Sequence, residues 1–298
     1  MKKKVVIIGG GPAGLTAGYF LLKNSSDYEV IIIERDSQVG GISKTISYNG
    51  NKMDLGGHRF FTKDEKVLNF WKEILPVQGV GSYDDKVLNN NSKCFEKGGP
   101  DPDKCDEVFL VRNRVSRIYY LQKFFDYPVT IKFKTFANLG LLRTISSGFS
   151  YLKSLVIKCD ENNLENFYIN RFGKKLYSIF FEGYTEKLWG RSPKEIDSSW
   201  GSQRVKGISI SEVLKDSFGK LVGKKNTSDE VSLIESFYYP KYGPGQMWEK
   251  VSDEFVKLGG KILKNSEVVA INNKKNNIES IIYLSNNRKF VLEGDIWR

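Results

Sequence analysis

Residues 1–22 read MKKKVVIIGGGPAGLTAGYFLL, and the fold turns on how that stretch is parsed. A basic start followed by apolar residues looks like a signal peptide or a membrane anchor at first sight. Gly9, Gly10 and Gly11, followed at once by Pro12, break any continuous helix after Ile8. The parse that respects them is a buried strand over residues 5–8, a tight turn, and a helix from about Ala13 to Lys23. The spacing Gly9-x-Gly11-x-x-Gly14 then fits a dinucleotide fingerprint. Its first glycine permits the sharp turn, its second admits a pyrophosphate against the backbone, and its third lets helix pack closely on strand. Pro12 and Ala13 open that helix, whose free N–H groups and positive dipole end suit phosphates.

The fingerprint alone is a weak signal in a chain with 28 glycines, and its surroundings strengthen it. A second strand over residues 29–33 ends in Glu34, twenty positions beyond Gly14, where a carboxylate accepts hydrogen bonds from an adenosine ribose. NAD and FAD both fit to this point. The run Glu34-Arg35-Asp36-Ser37-Gln38-Val39-Gly40-Gly41-Ile42-Ser43-Lys44-Thr45 favours FAD. Its Gly40-Gly41 pair lets the chain run against the pyrophosphate and ribityl portion, where a side chain would collide. Arg35 and Ser43 belong to the same candidate cofactor-binding segment.

Composition narrows the classes. The 298 residues suggest two domains, and a 40% hydrophobic content excludes a disordered chain. Three cysteines exclude a disulfide-stapled scaffold, and a single histidine excludes a His-based metal cluster, so no metal site is expected. The net charge of +11 comes from scattered lysines rather than a tract, which argues against a nucleic-acid partner. No uninterrupted apolar span reaches membrane length, so no transmembrane segment is expected and the reading is a soluble, cytoplasmic protein.

The second informative segment is Asp54-Leu55-Gly56-Gly57-His58-Arg59-Phe60-Phe61-Thr62. Gly56 and Gly57 suggest backbone close to a planar ligand with the His58 imidazole at its edge; a buried structural histidine is the plain alternative. Residues 76–107 read as an expanded surface connection carrying Asn89-Asn90-Asn91 and the free thiols Cys94 and Cys105. The alternating run around Arg112, Arg114 and Arg117 predicts a strand pair closing on residues 121–123. Those guanidiniums suit an anionic substrate, or else a solvated strand face. Spaced apolar residues make 133–190 helical, with Phe136, Leu139, Leu142 and Ile145 in one block and Phe167, Phe172, Leu176 and Phe180 in another. Both stripes are expected to be core. Further on, a helix is expected over residues 247–258, strands over 261–263 and 268–271, and a hairpin turning at Asn286-Asn287.

The Glu34 and Gly40-Gly41 combination resembles the FAD-binding amine oxidase superfamily, which includes protoporphyrinogen oxidase-like proteins and UDP-galactopyranose mutases. The resemblance implies an α/β fold: a Rossmann-like FAD-binding domain, residues 1–75 and 232–298, with an inserted, mainly helical substrate-binding domain, residues 76–231. Many amine oxidases carry Arg after the doublet; Ile42 stands there, which points away from the polyamine and monoamine oxidase branches. In the mutase-like branch a Gly-x-His segment lies over the flavin, which implies that role for His58. The string Gly183-Tyr184-Thr185-Glu186-Lys187-Leu188-Trp189-Gly190 closely resembles a mutase segment lining a nucleotide-sugar pocket, and it also resembles a broad group of FAD-dependent oxidoreductases. The resemblance implies that Tyr184 stacks on a base and Trp189 borders the sugar, with Arg204 a weaker candidate for a diphosphate clamp. It also implies that the backbone of Val268 touches the adenine, and that relatives continue beyond Arg298, so a C-terminal part is expected to be missing.

Three functions follow. The first is an FAD-dependent oxidoreductase taking a hydride from an unidentified small molecule, with a nucleotide sugar or another anionic compound as candidates. The second is a mutase-like sugar isomerase that uses reduced flavin, and the third is a non-catalytic nucleotide-binding remnant. Substrate, electron acceptor and oligomeric state are not legible from the residues.

Overall fold

The computed structural model describes residues 2–88, 95–114, 117–126, 133–204, 236–275 and 277–298. The Asn89-Asn90-Asn91 turn, Cys94, Tyr127-Pro128, Val205-Lys206-Gly207 and the stretch 220–230 lie outside them. The chain divides into two compact units, Met1–Arg114 with Ser236–Arg298, and Val115–Glu235.

The first unit begins with strand β1 (Lys3–Ile8), helix α1 (Pro12–Asn24) and strand β2 (Tyr28–Ile33), in the order that the glycine turn demands. β1 and β2 are parallel, with Val5 opposite Val30 and Ile7 opposite Ile32. Their near-continuous apolar runs are those of strands buried on both faces. A short antiparallel ribbon, β3 (Thr45–Tyr48) and β4 (Asn51–Asp54), follows. Helix α2 (Glu65–Ile74) is capped by the Asp64 side chain, which accepts from the Lys66 and Val67 amides. Helix α3 (Tyr83–Val87) starts at a Ser82–Asp85 capping box, and β5 spans Phe109–Asn113.

Residues 76–114, joined to the second domain by the sequence reading, pack in the first unit. The described part of the surface connection expected over 76–107 is largely exposed, but it is anchored by the buried side chains of Val77, Gln78, Ser82 and Asp85. Gln78 is fully buried; its amide donates to Val80 O and Asp85, while its oxygen accepts from the Val111 amide at 2.7 Å. A buried, fully partnered glutamine reads as polar and loop-like in one dimension, because the pattern shows neither its burial nor its pairing with Val111, 33 residues away.

The second unit opens with a hairpin, β6 (Arg117–Tyr120) and β7 (Lys123–Asp126), turning at Leu121 and Gln122, both at positive φ. The expected strand pair is present, but residues 111–113 belong to β5 and are not part of it. Helices α4 (Phe133–Leu139) and α5 (Leu141–Val156) are separated by Gly140. Helix α6 (Leu164–Tyr177) kinks at Gly173 and runs through a π turn, Ser178–Glu182, into α7 (Gly183–Trp189). A short helix, α8 (Ser199–Arg204), ends the described part of this unit. Leu164, Phe167, Tyr168, Phe172 and Tyr177 form its core, with Phe125, Leu139 and Phe180 in a second cluster.

The second apolar block is therefore core, whereas the first is core at Leu139 but not at Leu142 and Ile145. Leu139 is buried, whereas Leu142 is 84% and Ile145 48% exposed. The Phe136 side chain lies outside the described set. Helix α5 buries Ser147 and Ser154 instead of its apolar stripe.

The chain re-enters the first unit at β8 (Ser236–Pro240), antiparallel to β5. Helix α9 (Pro244–Lys257) follows, then β9 (Lys261–Leu263) and an antiparallel sheet of β10 (Ser266–Lys274), β11 (Asn277–Ser285) and β12 (Arg288–Glu293). Asn286 and Asn287, at φ 50° and 60°, make the β11–β12 turn. Strand β13 (Ile296–Trp297) completes a parallel sheet of order β13-β1-β2-β9. The period-two alternation of the central strands sorts the core into two layers. Val5, Ile7, Val30 and Ile32 pack with Leu15 of α1 and Val251 and Phe255 of α9, while Val6, Ile31 and Ile33 pack with Ile281 of β11.

Candidate functional site

The carboxyl ends of β1 and β2 carry the dinucleotide elements. Gly9 turns at φ 103°, and its amide donates to Ile33 O. A Cβ on Gly14 would sit 2.0 Å from Gly9 O, so close packing of α1 on the turn demands glycine there. Gly11 is the N-cap and Pro12 occupies the first turn, where a missing N–H costs nothing. Ala13 and Gly14 follow within that turn, whose amides have no partner inside the helix.

Glu34 is buried and both its oxygens are engaged. The Gly10 amide donates to Oε2 at 2.6 Å and the Asp36 amide to Oε1 at 2.9 Å. The Gly40 amide donates to Gly10 O at 2.8 Å. A Cβ on Gly41 would lie 3.3 Å from the Gly11 Cα. Gly40 and Gly41 are both at positive φ, 108° and 55°, so the second glycine motif curls back onto the first. Ser43 is buried at the end of this turn, its amide donating to Gly40 O. Lys44 pairs with Asp36, and that hydrogen bond holds the Asp36 carboxyl below its ordinary value.

His58 Nε2 lies 2.8 Å from the Ile42 carbonyl oxygen, which can only accept, so this nitrogen is the donor in the contact. Gly56 and Gly57, just before it, are exposed. Val268 sits on β10, half-buried against Val6, Ile31 and Ile33, and the Ser266 amide donates to Glu34 O at 2.9 Å. Gly9–Gly14, Glu34, Gly40–Ser43, His58 and Val268 thus form one connected neighbourhood. Arg35 stands apart on the surface, 3.8 Å from Glu267.

The remaining candidates belong to the second unit. Tyr184 is 66% exposed on α7. Trp189 packs edge-on against Trp200, ring centroids 4.7 Å apart. Five residues of helix turn the two side chains about 140° from each other, so they project from different faces of α7. Arg204 closes α8, and its side chain lies outside the described residues.

Arg112 does not present its charge to a substrate. Its guanidinium donates to the buried Asp85 carboxylate at 2.8 Å, a fixed internal pair, and the anion-binding expectation is withdrawn for this residue. Burial pushes the Asp85 carboxyl up, but hydrogen bonds from Gln78 and Ser82 and the Arg112 charge outweigh it and hold it below the ordinary aspartate value. Cys105 and Cys159 are free thiols. Among the described residues no three His, Cys, Asp or Glu side chains are grouped to hold a metal ion.

Three contributors escaped the sequence reading. Gly10 is needed because a Cβ there would lie 3.0 Å from Glu34 Oε2; the third consecutive glycine was the available signal. Lys44 follows the second motif directly. Thr45 donates to Asp54 at 2.8 Å and accepts from the Gly245 amide at 2.9 Å, while Tyr239 donates to the same aspartate. That network ties β3, β4, β8 and α9 beneath the second glycine motif, and its members are too far apart in sequence to be linked by pattern.

Residues 7–74 match the NAD(P)-binding Rossmann-like domain family. The chain is 30% identical over 85 residues to an uncharacterized protein in the nifH2 3′ region of Methanothermococcus thermolithotrophicus, covering 80% of it. It is 25% identical over 141 residues to kynurenine 3-monooxygenase of Emericella nidulans, 43% of this chain and 28% of that one. Among solved structures, reduced UDP-galactopyranose mutase superposes over 99% of this chain with TM-score 0.65 and 18% identity. A protein described as a protoporphyrinogen oxidase from Exiguobacterium sp. 255-15 superposes over 98% with TM-score 0.57 and 14% identity. The chain spans 55% and 58% of those two structures, about half of their length. It belongs to one family with the Methanothermococcus protein, and it shares its fold with reduced UDP-galactopyranose mutase.

Proposed function

We propose that this chain binds FAD in its first unit and serves, in the cytoplasm, as a flavin-dependent oxidoreductase acting on a small molecule. The observation that carries the reading is the backbone cradle. Gly9–Gly14, Glu34 and Gly40–Gly41 are locked together by the Gly10–Glu34 and Gly40–Gly10 hydrogen bonds, and Gly41 lies against the Gly11 backbone. Such a surface suits a pyrophosphate approached by main-chain atoms, with a carboxylate beside it for a ribose. Bound there, flavin supplies a hydride acceptor. The protein's share is orientation: the α1 amides and Gly11 hold phosphate oxygens, Glu34 accepts from ribose hydroxyls, and His58 offers Nδ1 at the far end of the second motif. On the second unit, Tyr184 and Trp189 are proposed as aromatic surfaces for a substrate and Arg204 as an anion partner.

A visible absorption spectrum of the purified protein, with the released ligand identified by mass, tests this reading. A flavin band with a mass matching FAD supports it. A colourless protein that takes up neither added FAD nor NAD removes it.

A mutase-like reading stands second, favoured by the exposed Tyr184 ring on a segment resembling that of UDP-galactopyranose mutases. Conversion of UDP-galactopyranose only after chemical reduction of the protein selects it. Consumption of an oxidisable substrate without added reductant selects the oxidoreductase.

A further inference from the structure

Helix α5 is packed inside out. Ser147 and Ser154 are its buried residues, and Thr144, Ser150 and Tyr151 are half-buried. That hydroxyl-rich side meets α6 at close range. A Cβ on Gly173 would lie 2.8 Å from the Ser150 carbonyl, and the Lys175 amide donates to Ser150 Oγ at 3.0 Å. The opposite side carries Leu142, Ile145, Phe149, Leu152 and Val156, at the three- and four-residue spacing of one helical stripe. They are 84, 48, 70, 58 and 85% exposed, and Leu141 beside them is 75% exposed. Scattered exposed leucines need no explanation, but a continuous stripe of large apolar side chains marks an interaction face.

Charge identifies what the face meets. From residue 127 to residue 159 the sequence holds Lys132, Lys134, Arg143, Lys153 and Lys158 and no acidic residue. Arg143 and Lys153, on α5 itself, are exposed. An antiparallel pairing of this stripe with a second copy, centred near Phe149, would bring Arg143 of each chain towards Lys153 of the other, like charge on like charge. An anionic surface has no such conflict. Among the described residues no helix is long and apolar enough to cross a membrane.

We propose that α5 docks this protein flat onto an anionic lipid surface. The Leu142–Val156 stripe enters the boundary between headgroups and acyl chains, and Arg143 and Lys153 reach the lipid phosphates. The attachment is peripheral, and it weakens as salt screens the headgroup charge.

Flotation of the full chain with vesicles tests the assignment, comparing phosphatidylcholine alone with phosphatidylcholine mixed with phosphatidylserine. About ten-fold more protein should float with the mixed vesicles, and Phe149→Glu with Leu152→Glu should remove that gain. Both side chains are exposed, so the double variant should keep the wild-type circular dichroism and melting temperature. Arg143→Glu with Lys153→Glu leaves the stripe intact and should abolish the preference for anionic over neutral vesicles. Absence of flotation overturns the proposal, as does equal flotation of wild type and the Phe149/Leu152 variant. A concentration-dependent dimer that this variant abolishes, without vesicle binding, also overturns it and assigns the face to a second copy.

Discussion

The Gly10 amide donates to Glu34 Oε2 at 2.6 Å, joining the phosphate-type turn to the ribose-type carboxylate through a single hydrogen bond. The same carboxylate accepts from the Asp36 amide, so Glu34 organises the cradle as well as offering a ligand group. Glu34→Ala strands two backbone donors at a buried position and should cost about 1–3 kcal/mol of stability. Glu34→Gln keeps one acceptor but sets an amide donor against an N–H, so its loss should be intermediate. Urea unfolding at neutral pH measures both. Equal stability of all three proteins would remove the organising role.

Gly11 and Gly14 separate binding from folding. A Cβ on Gly14 meets Gly9 O at 2.0 Å, and backbone cannot yield, so Gly14→Ala should destabilise the protein by about 1–3 kcal/mol before any ligand is added. A Cβ on Gly11 meets only the Gly41 Cα, at an ordinary 3.8 Å. Gly11→Val should therefore keep a near-wild-type melting temperature while losing FAD uptake, because its branches project where the pyrophosphate is expected. Undiminished FAD affinity in Gly11→Val sinks the pyrophosphate assignment.

How far the sequence carried the reading depended on distance along the chain. β1, α1, β2 and the Gly9–Gly14 turn were legible because apolar runs, glycines and Pro12 act within a few residues. The Asn286-Asn287 hairpin was legible for the same reason. The pairing of β5 with β8, across more than a hundred residues, was not, and Arg112 was read as a free cation because Asp85 lies in another segment. Periodicity picked out only Leu142 and Ile145 of the α5 stripe, in one block with Phe136 and Leu139 of α4, and expected them in the core: a helical pattern shows which residues share a face, and the neighbouring helix decides whether that face is buried. Gly173 and the serines settled it the other way.

The Asp85–Arg112 pair predicts a pH dependence. The folded pKa of Asp85 is depressed, so its contribution to stability is complete above the ordinary aspartate value of about 3.9 and is lost as pH falls through the depressed value. Asp85→Asn should be less stable at neutral pH by about 1–3 kcal/mol, since Arg112 and the Ser82 amide lose a charged acceptor. The two stability curves should converge on acidification below about pH 4. Curves that stay parallel from neutral pH to pH 2 would show that this carboxylate carries no linkage.

Gly173 and Gly148 offer a matched test of the α5–α6 contact. Gly173 holds φ 77° and ψ 153°, a conformation close to glycine-only, and its missing Cβ leaves room for the Ser150 and Tyr151 backbone at 2.8 Å. Alanine there combines backbone strain with a collision between two main chains, and Gly173→Ala should cost about 2–4 kcal/mol. Gly148 lies within α5, where an added methyl would have nothing within 4 Å, and alanine has the better helix propensity. Gly148→Ala should therefore be neutral or stabilising by up to about 1 kcal/mol. Opposite signs in urea unfolding of the two variants would establish that backbone proximity, and not the apolar stripe, holds α5 to its neighbour. If Gly148→Ala were as damaging as Gly173→Ala, the outward side of α5 would have to be packed against protein, and the interaction face would already be occupied.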